Sequence, residues 1–237
     1  MRTAAILPVK RFAEAKQRLG ASMADPMRLE LARAMVADVL YALAQTASIE
    51  RTIVVTGEDS LAAAARERGA LVLEDASEAG QSAAVRVGVR RALAEGIERV
   101  LCIPGDCPAL DPAELERLLD AGRDDRSASD GAAVGGEVVI VPDRHGTGTN
   151  GLLLTPPDAI EPSFGPDSCE RHRALALAAG AACRLERPPS LLLDVDTGAD
   201  LLALRERLAG AGISAVRTRA VLGQPERPDI LAITSTG

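Results

Sequence analysis

Thr3-Ala4-Ala5-Ile6-Leu7-Pro8-Val9 runs into Lys10-Arg11-Phe12-Ala13-Glu14-Ala15-Lys16-Gln17-Arg18-Leu19-Gly20, and the change of character at Lys10 sets how the chain begins. The first seven residues form an apolar run with a proline near its exit, the pattern of a strand buried on both faces. The loop that follows leaves the carboxyl end of that strand and carries both lysines of the protein; the other 25 basic residues are arginine. A compact ammonium on a flexible stem suits a crowded triphosphate where a planar guanidinium does not, so the stretch reads as a phosphate-binding loop. Chance placement of two lysines is the plain alternative.

Outward from this stretch, strand and helix patterns alternate. Asp25-Pro26 reads as an N-cap followed by proline at N1, with Leu29, Ala32, Val36, Val39, Leu40 and Leu43 at helical spacing behind it. Thr52–Thr56, Ala70–Leu73 and Arg99–Ile103 are predicted strands; Ser60–Arg68 and Gly80–Glu95 are predicted helices, with a further helix opened by Asp111-Pro112-Ala113-Glu114. Gly122–Gly136 reads as a polar surface loop. Strands follow at Val138–Val141, Gly151–Leu154, Cys183–Leu185 and Leu191–Val195, and helices at Cys169–Ala179 and Thr197–Leu208, with Ile213–Val216 as a last short strand. Such alternation specifies an α/β protein with a mostly parallel sheet covered on both faces. The reading is one domain over residues 1–223 and a tail over 224–237.

Composition narrows the function classes. A chain of 237 residues that is 47% hydrophobic can bury a full core, and with Phe12, Tyr41 and Phe164 as its aromatic residues that core must be aliphatic, which suits close packing of helices on a sheet. So few aromatics give no stacking platform for single strands, and a net charge of -7 without a basic block argues against nucleic acid. No apolar stretch approaches membrane-spanning length and no secretory leader is recognisable, so a cytoplasmic protein without membrane partners is expected. Cys102, Cys107, Cys169 and Cys183 show no paired spacing, which speaks against a disulfide framework or zinc site.

Ligands of open α/β sheets bind beyond the carboxyl ends of strands. Beside the lysine loop, Gly80-Gln81-Ser82-Ala83-Ala84 offers free backbone N–H groups at a helix start. Pro104-Gly105-Asp106-Cys107-Pro108 places a carboxylate directly after an apolar strand, a position suited to Mg2+ shared with substrate phosphates; Asp106 can also cap a turn, but Asp111 is available to cap the helix that follows. Leu193-Asp194-Val195-Asp196-Thr197 sends Asp194 and Asp196 to one face by strand alternation, and Asp196 can complete a metal site with Asp106. Against this, Thr197-Gly198-Ala199-Asp200 resembles a capping box that competes for Asp196. Gly146–Gly151 and Phe164–Ser168 are rich in hydroxyls and flexible backbone that can bind a phosphorylated acid, though Ser168 can also simply cap a helix. His145 and His172 read as ordinary polar residues rather than metal ligands.

In order and spacing, Pro8-Val9-Lys10, Ala15-Lys16, Arg18-Leu19, Pro104-Gly105-Asp106, Gly148-Thr149-Asn150, Phe164-Gly165 with Ser168 and His172, and Asp194-Val195-Asp196-Thr197 resemble the phosphoenolpyruvate and 2-phospho-L-lactate guanylyltransferases of coenzyme F(420) biosynthesis, the bacterial type above all. The chain departs from that pattern at Ser82, where the family often has asparagine. The resemblance implies a three-layer α/β/α Rossmann-like nucleotidyltransferase fold with a mostly parallel mixed sheet. It implies GTP as co-substrate and Mg2+ held by Asp106 and Asp196, with Lys16, Asp106 and Asp196 as the catalytic set. GTP would be met by Pro8, Val9, Lys10, Lys16, Arg18, Gly80, Ser82, Pro104 and Asp106, and the phosphorylated three-carbon acid by Thr149, Gly165 and Ser168. Phosphoenolpyruvate is the first expectation for that acid, with 2-phospho-L-lactate and 3-phosphoglycerate open beside it. A homodimer and a downstream deazaflavin transferase are the expected partners. The rival readings are a nucleotidyltransferase for a sugar phosphate or molybdenum cofactor precursor, and a non-catalytic nucleotide-binding subunit.

Overall fold

The computed structural model describes residues 1–14, 16–20, 22–75, 79–128, 135–210 and 214–223, with the backbone alone at 14 and 122–128. Its strands are β1 (Thr3–Val9), β2 (Arg51–Thr56), β3 (Leu71–Glu74), β4 (Arg99–Cys102), β5 (Glu137–Pro142), β6 (Thr149–Thr155) and β7 (Ala182–Leu185). The helices are α1 (Asp25–Gln45), α2 (Asp59–Glu67), α3 (Gln81–Ala94), α4 (Pro112–Ala128), α5 (Ser168–Ala178), α6 (Gly198–Ala209) and α7 (Val216–Leu222). The seven strands form one sheet in the order β3-β2-β1-β4-β6-β5-β7. Every pairing is parallel except those of β6, which runs against both β4 and β5. The expected mostly parallel mixed sheet is therefore what forms.

Side-chain alternation along β1 divides the core into two layers. Ala5 and Leu7 join Val36, Val39 and Leu43 of α1 on one face, and Ala4 and Ile6 join Val85 and Val89 of α3 on the other. A third cluster lies to one side, where Leu19 meets Met35, Leu193, Val195 and Leu204. The aliphatic core permits a close helix approach: a Cβ built on Gly88 of α3 would lie 2.6 Å from Ile6 Cγ2.

Five details differ from the sequence reading. Asp25 lies inside α1, whose N-cap is Ala24 and makes no side-chain cap. Helix α4 continues to Ala128, so the N-terminal half of the expected Gly122–Gly136 loop is helical; 129–134 lie outside the described residues. Leu191–Val195 is no strand. A 3-10 turn occupies Pro189–Leu191, and the chain beyond it is fastened by single bonds, such as Val195 N–H to Asp106 O at 3.1 Å, in place of a ladder. Val216 begins α7 and does not end a strand; Ile213 and the tail 224–237 lie outside the described residues. Ser168 is the first residue of α5 and caps nothing; the cap position is Asp167, in the left-handed region at φ 56°.

Gly88→Ala should lower the thermal midpoint. Overpacking against Ile6 costs about 1–3 kcal/mol, whereas the gain in helix propensity is at most about 1 kcal/mol. An unchanged or raised midpoint in a melting experiment would contradict the close contact.

Candidate functional site

The strand order reverses direction between β1 and β4: from β1 the chain steps to β2 and β3 on one side, whereas β4, β6, β5 and β7 lie on the other. The loops at the carboxyl ends of β1 and β4 part at such a point and leave a crevice. A cavity of about 310 Å³ lies there, lined among others by Pro8, Val9, Lys10, Lys16, Gly80, Pro104, Gly105, Asp106 and Asp196. Because β6 is antiparallel, its first residues, Thr149 and Asn150, reach the same edge of the sheet as the last residues of β4.

The lysine loop is held by two buried anchors, Phe12 and Leu19, at either side of Lys16. Phe12 N–H donates to Glu58 Oε2 at 3.1 Å, and the Arg33 guanidinium sits 5.6 Å from the Phe12 ring centre. Leu19 packs in the cluster that holds Leu193 and Val195, which draws the loop toward the segment carrying Asp194 and Asp196. Between the anchors Lys16 takes a left-handed conformation at φ 57°, rare for a residue with a Cβ and characteristic of positions fixed by their surroundings. Its ammonium donates to Asp106 Oδ2 at 2.5 Å and to Asp196 Oδ1 at 2.7 Å. Burial works to lower the pKa of Lys16, but the charges and hydrogen bonds of the two aspartates outweigh it and hold the ammonium above the ordinary lysine value. Lys16 therefore touches both carboxylates directly. Lys10, exposed on the cavity lining, has no recorded ion pair among the described residues.

Each carboxylate is positioned by its own device. A Cβ on Gly105 would come within 2.8 Å of Val36 Cγ2, so glycine lets the loop after β4 lie close to α1. Asn150 Nδ2 donates to Leu191 O at 2.9 Å and to Asp194 Oδ1 at 3.1 Å, tying the 191–194 segment to β6. Thr197 and Asp200 form a full capping box on α6, and that settles the competition noted above: the cap is complete without the Asp196 side chain, which is left to Lys16. Asp194 has its pKa raised, first by burial and then by the neighbouring charge of Asp106.

Asp106 Oδ1 is buried and has no hydrogen-bond partner among the described residues. A carboxylate oxygen in that condition fits a cation ligand. Among the described residues no group of three or more His, Cys, Asp or Glu side chains is arranged to enclose a metal alone. Asp106 and Asp196 offer the one or two carboxylates that Mg2+ takes beside retained waters and substrate phosphates.

The hydroxyl-rich half lies beside this cavity and does not line it. Thr149, Ser168 and His172 are buried together: Ser168 Oγ lies 3.0 Å from Thr149 Oγ1, which lies 3.1 Å from His172 Nδ1. Ser163 N–H donates to His172 Nε2 at 2.9 Å, and Phe164 sets its ring edge-on to the imidazole at 5.2 Å between centroids. Gly165 turns the chain here at φ +117°. Sequence reasoning brought together Lys16, Asp106 and Asp196, and Thr149 with Ser168; it named His172 among the residues that carry the resemblance but read it as an ordinary polar residue and gave it no role, because its complete burial leaves no mark on local pattern. It also passed over Asp75, and it quoted Gln81 without giving its side chain a role, though both residues line the cavity. Arg18 is exposed and does not line it. Ser82, expected at the nucleotide, accepts from Phe164 N–H at 2.8 Å and joins the start of α3 to the hydroxyl-rich segment.

The chain matches the family described as guanylyl transferase CofC like over residues 3–215. It is 50% identical to a phosphoenolpyruvate guanylyltransferase of Conexibacter woesei over 225 residues, covering 94% of this chain and 96% of that protein. It is 35% identical to the protein of the same name from Sphaerobacter thermophilus, over 89% of this chain and 94% of that one. Among solved structures, the 4-diphosphocytidyl-2C-methyl-D-erythritol synthase of Anaerococcus prevotii superposes with a TM-score of 0.60 at 11% identity, covering 88% of this chain and 96% of that one, a likeness of fold.

Burial pushes the His172 pKa down from 6.5 to about 4, with Arg171 adding to the effect. The folded state thus favours the neutral ring, so its contribution to stability is present above 6.5 and is lost as the pH falls toward 4. Between about pH 7.5 and about pH 5 the thermal midpoint of the wild type should fall further than that of His172→Asn. Equal falls would show that the ring does not titrate this way.

Proposed function

The chain belongs to the CofC-like guanylyl transferase family, and from that premise we propose that it transfers GMP from GTP to the phosphate of phosphoenolpyruvate, with release of pyrophosphate, in the making of deazaflavin coenzyme F(420). The observation that carries the reading is the Lys16–Asp106–Asp196 cluster on the cavity at the sheet's switch point. The names of the two bacterial relatives support the choice of acceptor.

An acceptor phosphate oxygen, ionised at neutral pH, attacks the α-phosphorus of GTP. The new P–O bond forms as the bond from the α-phosphorus to the bridging oxygen breaks, and pyrophosphate leaves with the electron pair. No proton has to move and no protein nucleophile is required. The chain's part is positioning and charge. Asp106 and Asp196 would hold Mg2+, which when bound neutralises phosphate charge. Lys16 balances the carboxylate pair, and Lys10, on the cavity lining, would meet the outer phosphates. The buried Asp75 and the amide of Gln81 supply the polar groups that a guanine edge requires. Thr149, Gly165 and Ser168 would take the acid. A cytoplasmic location and a downstream transferase that consumes the product complete the proposal.

Incubation with GTP, Mg2+ and each of phosphoenolpyruvate, 2-phospho-L-lactate and 3-phosphoglycerate, followed by mass analysis, should give the guanylylated phosphoenolpyruvate and pyrophosphate. Formation of another product alone would overturn the acceptor, and GTP binding with no product would overturn the transfer. Asp106→Asn should lower kcat/KM by roughly 100-fold or more, the scale of losing one preorganised charge. Lys16→Arg should also lose activity, because a guanidinium is larger than the space between oxygens at 2.5 and 2.7 Å from the ammonium. Unchanged kinetics in that variant would mean that charge alone suffices.

A further inference from the structure

We infer that His172 is a positioning residue for the acceptor acid: by carrying its proton on Nδ1 it orders the Thr149–Ser168 hydroxyl pair so that one O–H remains to be donated to the bound anion. The inference rests on the assignment of Thr149 and Ser168 to the acceptor.

The direction of the chain follows from one fixed donor. Ser163 N–H can only donate, and it lies 2.9 Å from His172 Nε2, so that nitrogen must present its lone pair. The ring is neutral, held so by burial, and its single proton is therefore on Nδ1. Nδ1–H donates to Thr149 Oγ1 at 3.1 Å, and Thr149 Oγ1 and Ser168 Oγ share one further bond at 3.0 Å. Three hydrogens, one from the ring and one from each hydroxyl, thus serve two contacts. One hydroxyl hydrogen is left over. Among the described residues neither hydroxyl has another recorded partner.

The opposite tautomer gives a different outcome. With Nδ1 as acceptor, Thr149 would donate to the ring and Ser168 to Thr149, and both hydrogens would be consumed. The pair would then offer lone pairs alone to a phosphate or carboxylate, which repel it. The ring therefore decides whether the same two hydroxyls attract or reject an anion.

The surroundings hold the ring in place. Phe164 packs edge-on against it, and the Phe164 N–H is bound by Ser82 Oγ, so two successive backbone amides, 163 and 164, are pinned by His172 and by α3. Arg171 donates to Ser163 O at 3.1 Å and to Pro166 O, bracing the same turn.

The tautomer can be read directly. The chain has two histidines, so a long-range 1H–15N spectrum of 15N-histidine-labelled protein, with His145→Gln to assign the signals, should show His172 with a protonated Nδ1 and a bare Nε2. A protonated Nε2 overturns the inference. In kinetics, His172→Asn keeps an amide donor near the Nδ1 position and should leave the acceptor KM within a few-fold of wild type. His172→Gln places its amide near Nε2, loses the proton to Thr149, and should raise the acceptor KM roughly ten- to hundredfold with kcat and the GTP KM little changed, as expected for one hydrogen bond to an anion. Equal KM values in the two variants overturn it. Thr149→Val separates the two claims: if that variant keeps a wild-type acceptor KM while the tautomer is as stated, the acceptor assignment fails and the role of His172 in binding falls with it.

Discussion

One ammonium group joins three segments that the chain keeps far apart. Lys16 meets Asp106 and Asp196 at hydrogen-bonding distance, and without it two carboxylates would face each other in a partly dry crevice. Removing one partner from a fully buried pair costs about 3–5 kcal/mol. The figure is smaller here because the Asp196 side chain is 47% exposed, so solvent screens part of the charge. What the contact provides is convergence. The loop after β1, the loop after β4 and the segment before α6 are each anchored by their own packing, and their polar tips meet at the ammonium. The left-handed backbone at Lys16 fits this account: Phe12 and Leu19 fix the loop on either side, and the residue between them adopts the conformation that brings Nζ to both oxygens.

The order of elements was legible because strands and helices alternate between glycine and proline marks, and because core strands such as Thr3–Val9 are apolar throughout. The failures have physical reasons. Leu191, Leu193 and Val195 alternate in burial as a strand would, but they face two different clusters, and their backbone groups are bonded to Asn150 and Asp106 in place of a neighbouring strand. Burial period alone cannot distinguish a paired strand from a segment laid across the ends of a sheet. The Gly122–Gly136 stretch erred the other way: the backbone of 122–128 continues α4, and a polar composition does not by itself separate a helix from a loop. Nothing in β6 itself announces that it runs antiparallel, because direction is set by its partners.

The candidate site was legible where it is charged and obscure where it is neutral. Lys16, Asp106 and Asp196 are unusual residues directly after apolar runs, and their types suggest their chemistry. His172 lies on an ordinary helical stretch, and its importance comes from complete burial and from a backbone donor nine residues earlier, at Ser163. Ser82 shows the same limit from the other side. Its place at the start of α3 suggested a ligand contact, and nothing near it in the chain announces that its oxygen also accepts from Phe164, a residue 82 positions away.

The reversed strand explains why these two kinds of chemistry can share one edge. In a wholly parallel sheet each strand sends its carboxyl end to the crevice, and the side chains there come from the loops that follow. Strand β6 sends its amino end instead, so Thr149 and Asn150 arrive on the strand itself and not on a free loop; Thr149 pairs with Pro142, and the register shifts there so that Asn150 is the extra residue of a bulge. Asn150 fixes the segment that bears Asp194 and, two residues on, Asp196, while its neighbour Thr149 stands in the hydroxyl pair next to His172. A bulge re-aims side chains that plain alternation would send elsewhere, and one dipeptide at the start of β6 thereby supports both the charged cluster and the neutral hydroxyls.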